Sequence, residues 1–411
     1  MKKMRVLFIT IGAVYNFDNS GAYTDLLKHF QKEGHDVYVV GAIERRNNQN
    51  TAISIEHGIN VLRVKVGNIT KTNLIEKGIS TLMIGRLYEN AIQKYWKDTM
   101  FDLIMYTTPP ITIAGLVNKI KKKSNAFTYL LLKDIFPQNA VDIGMLSKTG
   151  IKGFIYRYFR HVEKKLYNVS DKIGCMSEAN LQFVIEHNSY LDKAKIEICP
   201  NTIDVIATPD YVENNEILGK YNIPTGKKIL LYGGNFGKPQ NVPYIIDVLK
   251  LCRTIPDAHF VLCGSGTDFY LIEEYVRNEH PNNVTIINQL PYSEYSTLIS
   301  VCDFGLLFLD YRFTIPNFPS RLLDYMNYGL PVIAATDNNT DVGQVVEKGN
   351  FGWWIESRDP EAYHEMLKKI LSANNLNSIL KEKAYNSRDY LGKHYKTEVA
   401  YDTIIKACGK K

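Results

Sequence analysis

Phe318-Pro-Ser-Arg-Leu-Leu-Asp-Tyr-Met-Asn-Tyr-Gly-Leu-Pro-Val-Ile333 reads as a loop, one amphipathic helix, a Gly-Leu-Pro stop and a buried strand. A short helix running into a buried strand is the building unit of an open α/β sheet. Ser320 stands at the N-cap position, so the first backbone N–H groups of the helix, at Arg321 and Leu322, point outward and favour an anion. One turn later Asp324 offers acceptor oxygens that suit the hydroxyls of a ribose. Phosphate at the helix start with sugar hydroxyls beside it describes a nucleotide-diphosphate site.

A segment about eighty residues upstream has complementary chemistry. Ile229–Tyr232 is a short apolar strand, followed by Gly233-Gly-Asn-Phe-Gly-Lys-Pro-Gln-Asn241 and a helix through Ile245, Ile246, Val248 and Leu249. Gly234 and Asn235 let backbone donors come close to a phosphate, and Lys238 supplies a point charge for a pyrophosphate. Gly264-Ser265-Gly266 lacks the third glycine of a dinucleotide fingerprint, so it bounds a base pocket or simply turns the chain.

Outward from these segments, strand-like runs alternate with helical stretches along the whole chain. Val6–Ile11, Val37–Val40, Leu103–Tyr106, Phe127–Leu132 and Ile173–Met176 form a first series; Ile229–Tyr232, Phe260–Cys263, Val284–Ile287, Phe304–Leu309, Val332–Ala335 and Trp353–Ile355 form a second. Strands separated by helix-length segments predict parallel sheets covered on both faces. The 411 residues exceed one hydrophobic core. Two Rossmann-like, doubly wound α/β domains facing each other across a cleft are therefore expected, residues 1–205 and 206–386. The polar stretch Thr208–Asn215 marks the linker, and a C-terminal helical segment, 387–411, is expected to pack back on the first domain.

Composition narrows the classes. Apolar residues make up 45% and charged residues 22%, as in a globular protein. No apolar run approaches the roughly 18–20 residues of a membrane span, and Met1–Thr10 reads as a first core strand and not as a signal peptide. The six cysteines are scattered with no CxxC pair, which suits free buried thiols in a reducing, cytoplasmic setting. Nine histidines without a close pair and no Asp-x-Asp give no metal site. Residues 1–205 hold 28 lysines and arginines against 19 acids, whereas the remainder carries a net −3. The first half is thus the side to face an anionic surface or a phosphorylated acceptor, or is simply a solvated lysine-rich surface. Helical Gly78–Trp96 and the basic run Lys119–Lys123 are candidates for an in-plane membrane contact, with core packing and a solvated face as the plain alternatives.

With these motifs in place, the chain resembles the retaining glycosyltransferases of family 4, which have the GT-B architecture. The subgroup it looks most like serves bacterial capsule and O-antigen assembly and includes N-acetyl-fucosamine-type transferases. Supporting matches are Cys199-Pro-Asn-Thr-Ile-Asp204, Gly34-His-Asp-Val37 and Leu132-Lys-Asp-Ile-Phe-Pro137. The resemblance implies that Lys238 meets the donor pyrophosphate, with Gly234 and Asn235 lining it. It implies that Ser320, Arg321 and Leu322 lie under the distal phosphate and that Asp324 holds the ribose. Asn19, Ser20 and Gly21 match a glycine-rich loop of the first domain, and Asp134 lies where the subgroup keeps an acid near the donor sugar or acceptor. Lys238 and Asp134 are the residues it assigns to catalysis.

Two departures stand out. Pro316 occupies the first acidic position of the family's Glu-x7-Glu pattern, and the arginine often found shortly before the lysine is missing around Asn235. The resemblance implies a metal-independent transfer of an N-acetylated hexosamine or deoxyhexosamine from a UDP-sugar to a polyprenyl-diphosphate-linked saccharide. No cofactor and no nucleic-acid partner are expected, and the cytoplasmic enzyme could sit peripherally at the membrane. A non-catalytic sugar-nucleotide-binding subunit and a nucleotide-sugar epimerase of the same architecture remain alternatives.

Overall fold

The computed structural model describes residues 3–11, 16–70, 72–207 and 215–409. The linker expected at Thr208–Asn215 lies almost wholly outside the described residues. The chain divides into two compact units, Met1–Asp204 with Thr397–Lys411, and Val205–Lys396.

The first unit holds β1 (Arg5–Ile9), β2 (Asp36–Glu44), β3 (Ala52–Glu56), β4 (Ile59–Val66), β5 (Leu103–Thr107), β6 (Phe127–Leu132), β7 (Lys172–Cys175) and β8 (Ile196–Ile198). They form one sheet in the order β3-β4-β2-β1-β5-β6-β7-β8. Every pairing is parallel except β3 with β4, which are antiparallel at the edge. The central strands are apolar along their length because helices cover both faces: all residues of β5 and β6 are buried. Chain order reverses between β1 and β5, which makes the crevice beyond their carboxyl ends the expected ligand position.

The second unit repeats the plan with β9 (Lys228–Asn235), β10 (Ala258–Ser265), β11 (Val284–Asn288), β12 (Phe304–Phe308), β13 (Val332–Thr336) and β14 (Gly352–Glu356). Its order is β11-β10-β9-β12-β13-β14, parallel throughout. Here the order reverses between β9 and β12. A core including Leu230, Phe260, Leu262, Phe304, Leu306 and Ile333 lies beneath the helices Val242–Leu251 and Pro360–Leu371.

The C-terminal segment behaves differently from the expectation for residues 387–411. The helix Leu376–His394 stays with the second unit, where Leu391 is fully buried and Arg388 donates to the carbonyls of Asn327 and, at 2.7 Å, Ile206. Only Thr397–Cys408 returns to the first unit. It packs on the helix Ala22–Lys32, and the Tyr401 hydroxyl lies 3.1 Å from His35 Nε2. The split follows the side chains: Arg388 is bonded to second-unit carbonyls, and Thr397 donates to Asp204 Oδ1 at 2.6 Å. None of the six cysteines is joined in a disulfide. Among the described residues, no helix is long and apolar enough to cross a membrane.

Candidate functional site

In the second unit the predicted residues converge at the carboxyl ends of β9 and β10 and on the helix Arg321–Asn327 that follows β12. Register places Gly264 beside Gly234 and Ser265 beside Asn235. The two strands approach so closely there that a Cβ on Gly264 would lie 1.9 Å from the Gly234 carbonyl oxygen. Gly264 also has φ +155°, so both space and backbone exclude a side chain. Gly266 is likewise held against Phe236, whose N–H donates to the Ser265 carbonyl at 2.9 Å. The Gly264-Ser265-Gly266 turn therefore buttresses the loop after β9, and the Ser265 hydroxyl donates to Gln289 Oε1 at 3.2 Å.

That loop carries its polar groups outward. Gly234, Asn235 and Lys238 are exposed, while Phe236 and Gln240 anchor the loop from inside. Gln240 Oε1 accepts from the Gly237 N–H at 3.0 Å and from Asn235 Nδ2 at 3.1 Å. Lys238 opens a single 3-10 turn, Lys238–Gln240, closed by the Asn241 N–H donating to the Lys238 carbonyl.

Arg321 is the feature the sequence left least certain. Its guanidinium lies over the Tyr232 ring, 4.6 Å from the centroid. A Cβ on Gly234 would be 3.3 Å from its Cζ, so the cation is pressed against the glycine loop. Its Nη1 is buried without a hydrogen-bond partner. A buried donor of that kind costs free energy unless a water or ligand oxygen meets it. Tyrosines complete the frame: Tyr232 donates to the Asn235 carbonyl at 2.7 Å, and the Tyr325 hydroxyl accepts from the Gly233 N–H at 3.0 Å. Tyr295 also closes on the glycines, because a Cβ on Gly233 would lie 2.1 Å from its hydroxyl. The tyrosines were not singled out from sequence. Tyr325 follows Arg321 by four residues, one helical turn, which is the signal that joins them.

Ser320 differs from the N-cap reading. It precedes the helix with φ −62° and ψ −27°, and its exposed hydroxyl caps no backbone N–H. The αR conformation continues the turn from Pro319, whose carbonyl accepts from the Leu322 N–H at 3.2 Å, so the side chain is not aimed back at the helix. Leu322 is fully buried and contributes no polar side-chain group. Asp324 is half-buried on the same helix, and Pro316 is buried where the resemblance expects a carboxylate.

The first unit supplies a second cluster at its own strand ends. Thr108 Oγ1 accepts from the Lys133 and Asp134 N–H groups, both at 3.2 Å, and donates to the Asp134 carbonyl at 2.9 Å, which fixes the turn after β6. Burial pushes the Asp134 carboxyl up to about 6, against which Asn139, 3.4 Å away, gives one hydrogen bond. Burial likewise pushes the Lys133 amine down to about 8. Burial also raises Tyr23, with the Asp134 charge adding to it.

Ser20 donates to Asp25 Oδ2 at 2.6 Å, and the same oxygen accepts from the Asp204 N–H at 3.0 Å. Ser20 is thus committed to the internal structure of the unit. Asn19 is exposed, and Gly21 has an extended φ of 169° that any residue can adopt. A Cβ at Gly21 would make only ordinary contact with Thr24, so this loop lacks the steric demand seen at Gly264. Asn201 Nδ2 points to Met176 Sδ at 3.5 Å, in keeping with a structural turn. Among the described residues, no group of three or more histidine, cysteine, aspartate or glutamate side chains could hold a metal ion.

Two parallel-sheet α/β units with a glycine-lined, cation-bearing switch point define a class of nucleotide-handling folds. Residues 213–387 match the glycosyl transferases group 1 family. The Pseudomonas aeruginosa protein WbjE, named as a probable glycosyltransferase, is 21% identical over 305 residues, 73% of each chain. WcaI of Escherichia coli (strain K12), which bears the name "Putative colanic acid biosynthesis glycosyl transferase", is 22% identical over 316 residues, 76% of this chain and 75% of the relative. Anabaena Alr3699/HepE, solved in complex with UDP, superposes with a TM-score of 0.69 at 12% identity, covering 99% of this chain and all of that one. The protein is a glycosyltransferase of the GT-B fold whose second unit carries a group 1 domain.

Proposed function

We propose that the protein is a retaining, family 4-type glycosyltransferase that moves a sugar from a UDP-sugar to a polyprenyl-diphosphate-linked saccharide in surface polysaccharide assembly. The observation that carries this reading is the Arg321 guanidinium, stacked on Tyr232 and pressed against Gly234 with Nη1 lacking a partner. It makes good the arginine missing near Asn235: the cation arrives from the helix after β12 instead of from the loop after β9. Arg321 and the exposed Lys238 would grip the donor diphosphate, and the backbone at Gly234 and Asn235 would donate to it. Asp324 would hold the ribose.

Negative charge grows on the diphosphate as the glycosidic bond breaks. Cations fixed beforehand stabilise that state more than the ground state and need no rearrangement during the reaction. Retention follows if the acceptor hydroxyl attacks the face the diphosphate leaves and passes its proton to the departing phosphate oxygen. The proposal assigns no resident metal, because Arg321 and Lys238 take the charge-balancing role. The uridine base is supported by the UDP bound to Alr3699/HepE, and the polysaccharide context by the naming of WcaI. An N-acetylated hexosamine or deoxyhexosamine is the donor sugar favoured by the subgroup resemblance.

The test is turnover of a UDP-sugar panel by purified protein with a lipid-linked acceptor. Lys238→Ala is expected to lower the rate about tenfold to a hundredfold with the melting temperature unchanged. Full activity of that variant removes Lys238 from the site. Thermal shift by GDP and not UDP overturns the base. A second reading draws on Pro316, which offers no carboxylate to a donor sugar: a non-catalytic UDP-sugar-binding subunit. Saturable UDP binding without hydrolysis, transfer or isomerisation across the panel would favour it.

A further inference from the structure

The helix Gly150–Val169 of the first unit leaves an apolar face uncovered. Ile151, Phe154, Ile155 and Tyr158 recur at i, i+3, i+4 and i+7, and they are 84%, 70%, 44% and 50% exposed. Away from that face the helix is buried at Gly153, Glu163 and Tyr167, and its last turns are buried at Leu166 as well. Isolated apolar residues on a surface are ordinary, whereas four on one helical face form a patch that needs a partner.

A second helix carries its own exposed apolar set. The helix Leu74–Tyr95 exposes Ile79, Leu82 and Met83, again at i, i+3 and i+4. Both helices pack on the helix Ala114–Ser124 and the turn Ile111–Ile113, so the two apolar sets share one flank of the unit. Ile79 and Met83 also line an open depression of about 700 Å³ together with Arg45 and Lys65.

Charge selects the occupant. Six lysines and arginines lie between positions 148 and 165, against one acid, Glu163. Glu163 is buried and paired with Arg160, so it contributes nothing to the rim. Lys148, Lys152, Arg157, Lys164 and Lys165 are exposed. Arg157 lies over the Phe154 ring, 4.5 Å from its centroid, which sets a cation directly beside an apolar anchor. By contrast, the basic run at 119–123 is largely tied up: Lys119 pairs with Glu89, Lys121 with Asp171, and Lys123 donates to the Lys97 carbonyl.

We propose that this flank docks on an anionic lipid surface, with Ile151, Phe154, Ile155 and Tyr158 entering the headgroup boundary and the lysine and arginine rim meeting lipid phosphates. An apolar helix face bordered by cations is the arrangement that holds a helix in the plane of a membrane interface. A second copy of the chain fits less well, since a two-fold contact would set one basic rim against another. The proposal relies on no part of the donor-site reading, and its test uses neither donor nor acceptor.

The experiment is co-sedimentation of full-length protein with vesicles of phosphatidylcholine alone or of equal parts phosphatidylcholine and phosphatidylglycerol. Binding is expected to the mixed vesicles only, to weaken with added salt, and to fall about tenfold or more in Ile151→Asp/Phe154→Asp. Lys152→Glu/Arg157→Glu should lose binding with the apolar face intact. Both pairs are exposed, and an unchanged melting temperature and circular dichroism spectrum would show that the fold persists. Equal binding to both vesicle types, no binding by the unaltered protein, or variants that bind like it would overturn the proposal. So would a concentration-dependent dimer that the Asp variants dissolve without any vesicle binding.

Discussion

The strand ends of the two units treat charge in opposite ways. In the second unit a guanidinium lies at the switch point, its plane supported by Tyr232 and its Nη1 left for a partner. In the first unit Lys133 and Asp134 follow β6 as neighbours, yet each is governed by burial and not by the other's charge. Successive residues leaving a strand point to opposite faces, so adjacency in sequence gives no ion pair. Lys133 turns into a small cavity with Tyr23, Asn201 and Thr202, while Asp134 faces Asn139. One strand end is built to present a positive charge and the other to suppress both signs. The contrast is consistent with the diphosphate grip proposed for the second unit.

The sharpest way to break the comparison is Arg321→Ala. If the guanidinium meets the donor diphosphate, kcat should fall about a hundredfold to a thousandfold and UDP should no longer raise the melting temperature. Arg321→Lys should recover little, because an ammonium cannot keep both the stacking on Tyr232 and the forked donors. An unaltered UDP shift in Arg321→Ala would make the residue a structural prop. Next in size is Gly264→Ala. The added methyl meets the Gly234 carbonyl oxygen at 1.9 Å, so a loss of about 3 kcal/mol in urea unfolding is expected, with weakened UDP binding because Gly234 must shift. The matching change in the first unit, Gly21→Ala, should be nearly neutral in stability, since its Cβ makes only ordinary contact with Thr24.

These differences also explain what could be read from sequence. The parallel-sheet series was legible because buried central strands are apolar runs, such as Phe127–Leu132 and Phe304–Phe308. β3 and β4 escaped notice: β3 is an antiparallel edge strand with Ile53 and Ile55 facing outward, so it lacks the signature of a buried strand. β8 is three residues long. The glycine and lysine positions of the loop after β9 were visible from residue type alone. The placement of the Arg321 guanidinium was not, because it depends on Tyr232 and Gly234, some ninety residues away in sequence. The Ser320 cap failed for a local reason: Pro319 continues the turn backwards, so the hydroxyl has no free N–H to meet. The apolar face at Ile151–Tyr158 went unremarked because a helical stripe normally signals core, and exposure is a property of the fold.

The smallest expected effect tests the suppressed pair by titration. Below about pH 4 the Asp134 carboxyl is protonated in the folded and unfolded chains alike and makes no difference to stability. Its folded value near 6 lies above the unfolded one, so stability is lost as pH rises through about 6, when the folded chain must carry a buried carboxylate. Lys133 has the opposite sign: its folded value near 8 lies below the unfolded one, so stability is regained as pH rises from about 8 toward 10. Asp134→Asn should therefore match the unaltered protein at pH 4 and exceed it by about 2 kcal/mol at pH 7, as read from urea midpoints. Lys133→Met should show its gain below pH 8 and none at pH 10. Parallel stability profiles for either variant would mean that water reaches the side chain. The carboxyl ends of the first sheet would then be as well hydrated as a surface loop, and the contrast with the Arg321 site would rest on geometry alone.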